Sequence, residues 1–338
     1  MSRFSSVLFF AFLSAVLSAQ SITDISDTTV HSSFRGLSVV NDNVVWLSGT
    51  KGTVGNSFDG GKTWQWHTVK GFEQLDFRSL YAMDKKKAAI ASAGTPAVIL
   101  TTADGGATWE TRFRSDDTLM FLDGVDFWDN NHGLVFGDPV NGKMFIAETV
   151  DGGKTWNEVP EKNRPQLDKG EASFAASNTT MRTVPGGEVW IATGGYRSRL
   201  WHSLDYGHHW SDVETPILQG VLSAGIFSFA IGGKDFLLIT GGDYLQDTLT
   251  KKNFFYTVDG GAHWLQKSNN PGGYRSCIEK TGKNQFICTG TSGTDIMEGP
   301  EWKPLSPAGY NCVRKSRSGS AVYFCGAKGK IGKLVAGG

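Results

Sequence analysis

The stretch Thr149-Val150-Asp151-Gly152-Gly153-Lys154-Thr155-Trp156 combines an acid, two glycines, a lysine and a threonine. Those are the ingredients of a phosphate-gripping loop, of a carbohydrate-processing site, or of a tight turn. A phosphate loop needs glycines five apart leading into a helix, whereas here the glycines lead into Trp156 and a strand. Repetition decides between the other two. The frame [Ser/Thr]-x-Asp-x-Gly-x-x-Trp recurs with acids at Asp59, Asp104, Asp151, Asp205 and Asp259, and ends at Trp64, Trp109, Trp156, Trp210 and Trp264. An active site needs one copy, so a pattern repeated along the chain is an element of the fold.

The aspartates lie 45, 47, 54 and 54 residues apart, the period of a four-stranded propeller blade. Each residue type suits a turn between a blade's third and fourth strands. Glycines accept positive φ, the carboxylate and the Ser or Thr hydroxyl take up backbone N–H groups, and Trp buries its ring beside the blade. First and second strands are read at residues 34–40 and 43–49, 76–83 and 88–94, 123–128 and 132–138, 173–177 and 188–195, and 228–233 and 235–242. Two further units lack a clean motif. One runs from Tyr274 through the degenerate stretch 295–302, and the other, from Tyr310 to Leu334, stops one strand short. The expected fold is an all-β, seven-bladed β-propeller, its ring closed by a strand from residues 22–31 in the last blade, which removes an exposed edge.

Basic and acidic residues cancel at 33 each, which gives no reason to expect nucleic acid or an anionic membrane as partner. The 43 glycines and 11 tryptophans suit a turn-rich β protein. Arg3, the apolar run 7–17, and Ser18-Ala19 have the order of a secretory signal peptide. The expectation is a leader over residues 1–19 and a single propeller over 20–338, secreted or periplasmic, monomeric, with no membrane span. The histidines are scattered, so no metal is expected. No glycine-rich strand-to-helix element suggests a dinucleotide or other cofactor.

Cys277 and Cys288 flank one turn, and Cys312 and Cys325 flank another. Counting outward from the turns places each pair opposite across a hairpin. In an exported protein this predicts disulfides Cys277–Cys288 and Cys312–Cys325, or else a cross-blade pairing of equivalent strands. Asn178-Thr179-Thr180 is a glycosylation sequon in a eukaryotic secretory host.

The first strand of each blade lines the channel and begins on the face opposite the Asp-containing turns. Phe34-Arg35-Gly36-Leu37, Phe77-Arg78-Ser79-Leu80 and Tyr274-Arg275-Ser276-Cys277 share the order aromatic, Arg, small, apolar. Blade three has Asp123 at the matching place, blade seven has Asn311, and Glu171 lies near the start of blade four. Cyclic closure makes Arg275, Asn311, Arg35 and Arg78 an arc, continued by Asp123 and Glu171. Lys51 and Arg197, with Lys143, Arg199, Asp243 and Lys328, follow second strands on the same face. Converging guanidinium forks favour a carboxylate-bearing ligand.

The five motifs resemble the Asp-box, or BNR repeat, of sialidases, sortilin-type receptors and the photosystem II stability/assembly factor family. The run from Phe34-Arg35-Gly36-Leu37 to Trp64 is most similar to the last of these. That resemblance implies a protein- or peptide-binding scaffold. The alternative is a sialidase-like glycoside hydrolase or lyase acting on an acidic glycan. Under that resemblance Arg35, Arg78 and Arg275 imitate the arginine triad, Asp123 or Glu171 the acid, and Tyr274 or Tyr310 the nucleophile.

Overall fold

The computed structural model describes residues 20–336, so the leader expected over residues 1–19 lies outside the described residues. Short apolar runs punctuated by glycine and Asx turns form seven antiparallel sheets. Blade 1 runs outward from the channel through Phe34–Val39, Val45–Gly49, Thr53–Ser57 and Gln65–Thr68. Blade 2 follows with Asp76–Ala82, Ala88–Ala93, Ala97–Thr102 and Glu110–Ser115, and blade 3 with Leu122–Phe127, Gly133–Val140, Lys143–Thr149 and Asn157–Glu158. Blade 6 is Cys277–Lys280, Gln285–Gly290, Gly293–Glu298 and Trp302–Ser306. Blade 7 holds Cys312–Lys315, Val322–Cys325 and Ile331–Val335, with Ser21–Asp24 antiparallel at its outer edge, so the N-terminal segment closes the ring as expected.

Blades 4 and 5 depart from the sequence reading. The inner strand of blade 4 is Met181–Val184, paired with Glu188–Ala192, and residues 173–177 form no strand. Blade 5 is built on Ala224–Gly233, Phe236–Asp243 and Phe254–Thr257. On its channel side it gains the short pieces Gly194–Gly195 and Glu171–Ala172, and outside it Leu265 makes only a bridge to Tyr256. Residues 173–180 instead cross the channel. Asn178 donates from Nδ2 to the carbonyls of Leu80 and Val125 and accepts the Val125 amide at 3.0 Å. Ser177 and Thr179 reach Ser276 and Ser228, and Cys312 donates to the Ser177 carbonyl. The run reads as a strand because it stands where the first strand of the fourth unit is expected, ahead of the stretch 188–195, but its polar groups are satisfied by the inner strands around it. The sequon asparagine is thus 7% exposed with its amide engaged, closed to glycosylation in the folded chain.

The five repeated turns carry one hydrogen-bond pattern. Thr149 Oγ1 accepts the Gly153 amide and donates to Asp151, which accepts the Thr155 amide and hydroxyl. The first copy does the same through Ser57, Gly61, Asp59 and Thr63, and the hydroxyl and amide of Thr63 hold the Asp59 carboxyl down at about 2. Gly152 and Gly153 sit at φ +76° and +84°, where a Cβ would be strained. Between blades lie separate apolar layers, such as Trp46 with Phe77, Tyr81 with Phe127, and Ile239 with Leu200.

All four cysteines are free thiols and buried. Cys312 does lie opposite Cys325, but Cys277 lies opposite Thr289 and Cys288 opposite Ile278. A shift of one residue turns a side chain to the other sheet face, so Cys277 and Cys288 sit in different apolar layers. Cys277 Sγ instead lies 3.9 Å from Cys312 Sγ on the equivalent strand of the next blade.

Candidate functional site

On the face opposite the turns, the channel opens into a cup of about 410 Å³ floored by Ala175 and Ala176 of the crossing segment. β-bulges aim its wall residues. Register shifts fall between Phe34 and Gly36, Asp76 and Ser79, Leu122 and Gly124, and Ile226 and Ser228. They set Arg35, Arg78, Asp123 and Phe227 out of the regular pleat and into the cup wall. A fifth bulge, between Gly137 and Pro139 on the second strand of blade 3, brings Asp138 beside Asp123.

Arg35 is half-buried. Its Nη1 donates to the Ala176 carbonyl at 2.9 Å, and among the described residues it forms no ion pair with a carboxylate. Burial pulls its pKa down, as does the neighbouring Arg78 charge. Arg78 pairs through Nε with Asp76 at 2.7 Å. Asn311 holds the rim by donating to the Phe34 carbonyl at 2.9 Å.

Asp123 is fully buried, and among the described residues neither of its carboxyl oxygens meets a donor in hydrogen-bonding geometry, although the Ala175 amide and the Asp138 carboxyl lie near it. Burial, then the adjacent Asp138 charge, pushes its pKa well up, and burial raises Asp138 to about 6. The facing wall is aromatic. Phe174 stacks on Phe227 at 3.9 Å, and Tyr274 and Tyr244 meet Phe227 edge-on at 4.7 and 6.1 Å.

The other residues expected at the mouth lie elsewhere. Arg275 is 2% exposed and turned into a buried ion pair with Asp295, with its Nη1 on the Tyr274 carbonyl and Ser292. Glu171 is locked by Arg199 and the Thr193 hydroxyl. Arg197 bridges Asp168 and Glu214 at the rim, and Lys51 is exposed at a turn with φ +59°. Tyr310 packs on Phe324 beneath Lys330. Of the four residues read as the acid or nucleophile of a glycosidase, only Asp123 and Tyr274 share the cup. Burial drives the Tyr274 phenol well above its ordinary pKa, away from the ionisation a nucleophile needs.

Sequence reading missed Asp138 and, apart from Tyr274, the aromatic wall. Phe227 was within reach, because Ile226-Phe227-Ser228-Phe229 keeps the frame apolar, variable, small, apolar of Phe34-Arg35-Gly36-Leu37. Asp138 had no such signal, since it comes from a second strand.

No curated protein matches the chain in sequence. Among solved structures the fold resembles that of YCF48 bound to D1 peptide, with 15% identity over 96% of this chain and 99% of that one, at a TM-score of 0.66. It resembles YCF48 from Cyanidioschyzon merolae, with 17% identity over 93% and 98% of the two chains, at 0.57. A streptogramin B lyase structure matches at 12% identity over 94% and 97%, at 0.65, so the architecture alone is silent on activity. The model of the photosynthesis system II assembly factor YCF48 family matches residues 18–120 and 115–293, most of the chain, and the chain belongs to that family.

Proposed function

We propose that the protein is an exported, peptide-binding assembly factor whose channel mouth captures an acidic group of its partner through Arg35 and Arg78. Arg35 carries the reading: a half-buried guanidinium tied to a backbone carbonyl and placed beside a second guanidinium. Asp76 already offsets the Arg78 charge, but Arg35 has no carboxylate, and an unpaired guanidinium in a partly desolvated cup is costly unless an anion joins it; guanidinium forks take a carboxylate through paired donors. A family member seen bound to a D1 peptide supports a peptide as the partner class. The cup, at about 410 Å³, has the size of a small-ligand site and suits one or two residues.

The test uses fluorescein-capped tetrapeptides with a free C-terminal carboxylate, their C-terminal amides, and sialyllactose as an acidic glycan. The free-acid peptides should bind, and Arg35→Ala and Arg78→Ala should each weaken them about tenfold or more. Equal binding of the amides would sink carboxylate capture. Turnover of sialyllactose, lost in Asp123→Asn, would replace the scaffold reading with glycan hydrolysis.

A further inference from the structure

The anion reading leaves half of the cup unused. Beside Arg78, on the next blade, stands a pair of carboxyl groups, from Asp123 and Asp138, with no basic side chain within ion-pair distance among the described residues. A buried carboxyl without hydrogen bonds is costly, and native structures keep few such groups. Asp123 has both oxygens in this state at 0% exposure, and Asp138 has one. The backbone spends two bulges to bring the acids together, one on each of two adjacent strands. A purely structural acid pair would be expected to draw a partner from its surroundings, as Glu171 draws Arg199 and Asp295 draws Arg275 in the same protein.

The aromatic surface across the cup adds the second half of a recognition site. Phe174 and Phe227 are stacked, and Tyr274 stands edge-on to them. Rings of this kind hold the methylene stem of a long basic side chain and attract its charged end. The cup therefore offers positive charge on blades 1 and 2, negative charge on blade 3, and an aromatic wall from blade 5, the crossing segment and Tyr274.

We infer that Asp123 and Asp138 form a cation subsite that takes a lysine or arginine side chain of the same peptide whose carboxylate sits on Arg35 and Arg78. This rests on the peptide reading above and extends it: the ligand is a dipolar segment, with a basic side chain and a carboxylate within one or two residues of each other. The cation supplies the donors that the two buried carboxyls lack, and its stem lies against the Phe174 and Phe227 rings.

The experiment measures fluorescence anisotropy of fluorescein-capped tetrapeptides of glycine and alanine carrying lysine at one of the last three positions. These are compared with the same peptides carrying norleucine in place of lysine, and with the lysine peptides as C-terminal amides. For the wild-type protein at least one lysine peptide should bind about tenfold or more tightly than its norleucine counterpart. That ratio should fall towards one in Asp123→Asn and in Asp138→Asn, and should persist in Arg35→Ala, where affinity for all free-acid peptides drops. Equal binding of lysine and norleucine peptides to the wild type, with the amides still weak, overturns the cation subsite and leaves carboxylate capture standing. A lysine preference with amides as tight as acids does the reverse. No binding by any peptide overturns both. Should either Asn variant fail to fold, the wild-type lysine-to-norleucine ratio decides by itself.

Discussion

Arg35 and Arg275 hold the same place in the repeat, and one carboxylate separates their fates. The third strand of blade 6 carries Asp295, which captures Arg275 in a buried pair, whereas the third strand of blade 1, Thr53–Ser57, carries no acid. Arg35 is left to the cup. The acids in this protein likewise divide by surroundings. The turn aspartates, bathed in donors, have lowered pKa values, so their contribution to stability is present above about 4 and is lost as pH falls towards about 2. The Asp123 and Asp138 pair is raised, with the opposite sign. As pH rises from about 4 through about 6, the unfolded chain has released protons that the folded chain still holds, and stability falls. The groups facing the pair are Arg78 and the backbone amides of Ala175 and Ser173, with Arg35, Tyr244 and Tyr274 elsewhere on the cup wall. Urea unfolding at pH 4.5 and 7.5 should therefore show Asp138→Asn gaining on the wild type at the higher pH, by on the order of 2 kcal/mol. An unchanged difference between the two pH values would refute the raised pair.

At the scale of elements, the site is made by irregularities. A regular first strand would alternate its side chains between the two sheet faces, each packed against a neighbouring blade. The bulges release Arg35, Arg78, Asp123 and Phe227 from that alternation. The crossing segment then turns a through-channel into a cup. Its anchor is Asn178, at φ +54°, a conformation that Asn tolerates better than most residues. Asn178→Ala would leave the Leu80 carbonyl and the Val125 amide and carbonyl without these bonds inside the channel. Denaturant unfolding should show a loss of about 2–4 kcal/mol, and the free-acid peptides should bind more weakly because the floor of the cup shifts. A loss under about 0.5 kcal/mol would mean that the segment is not anchored there. Such an arrangement was beyond a reading by period. Residues 173–177 look like the first strand of the fourth unit, and only the partners around the channel reveal that they are the floor.

At the scale of the whole molecule, the ring closes with Ser21–Asp24 against Ile331–Val335, joining residues some 310 positions apart. Trp66 adds a bond from its Nε1 to Asp27 at 2.8 Å. A truncated chain beginning at Thr28 would expose the edge of Ile331–Val335, and unpaired edges template association. Its Tm should fall by roughly 5 °C or more, with concentration-dependent aggregation in light scattering. An unchanged Tm would show that closure contributes little. Fold, blade count and closure were all legible in the sequence, because they follow from a local motif repeated at a fixed period and a last unit one strand short. Five cup residues, Arg35, Arg78, Asp123, Asn311 and Tyr274, were legible for the same reason, from the openings of the repeat's first strands. The sequence alone determined the propeller and where its mouth lies. Only the tertiary structure decided which arginine stays free of a carboxylate, that Asp138 joins Asp123, and that residues 173–180 close the channel. Those outcomes depend on charges and hydrogen-bond partners brought together through space from different blades, and a period along the chain carries no record of them.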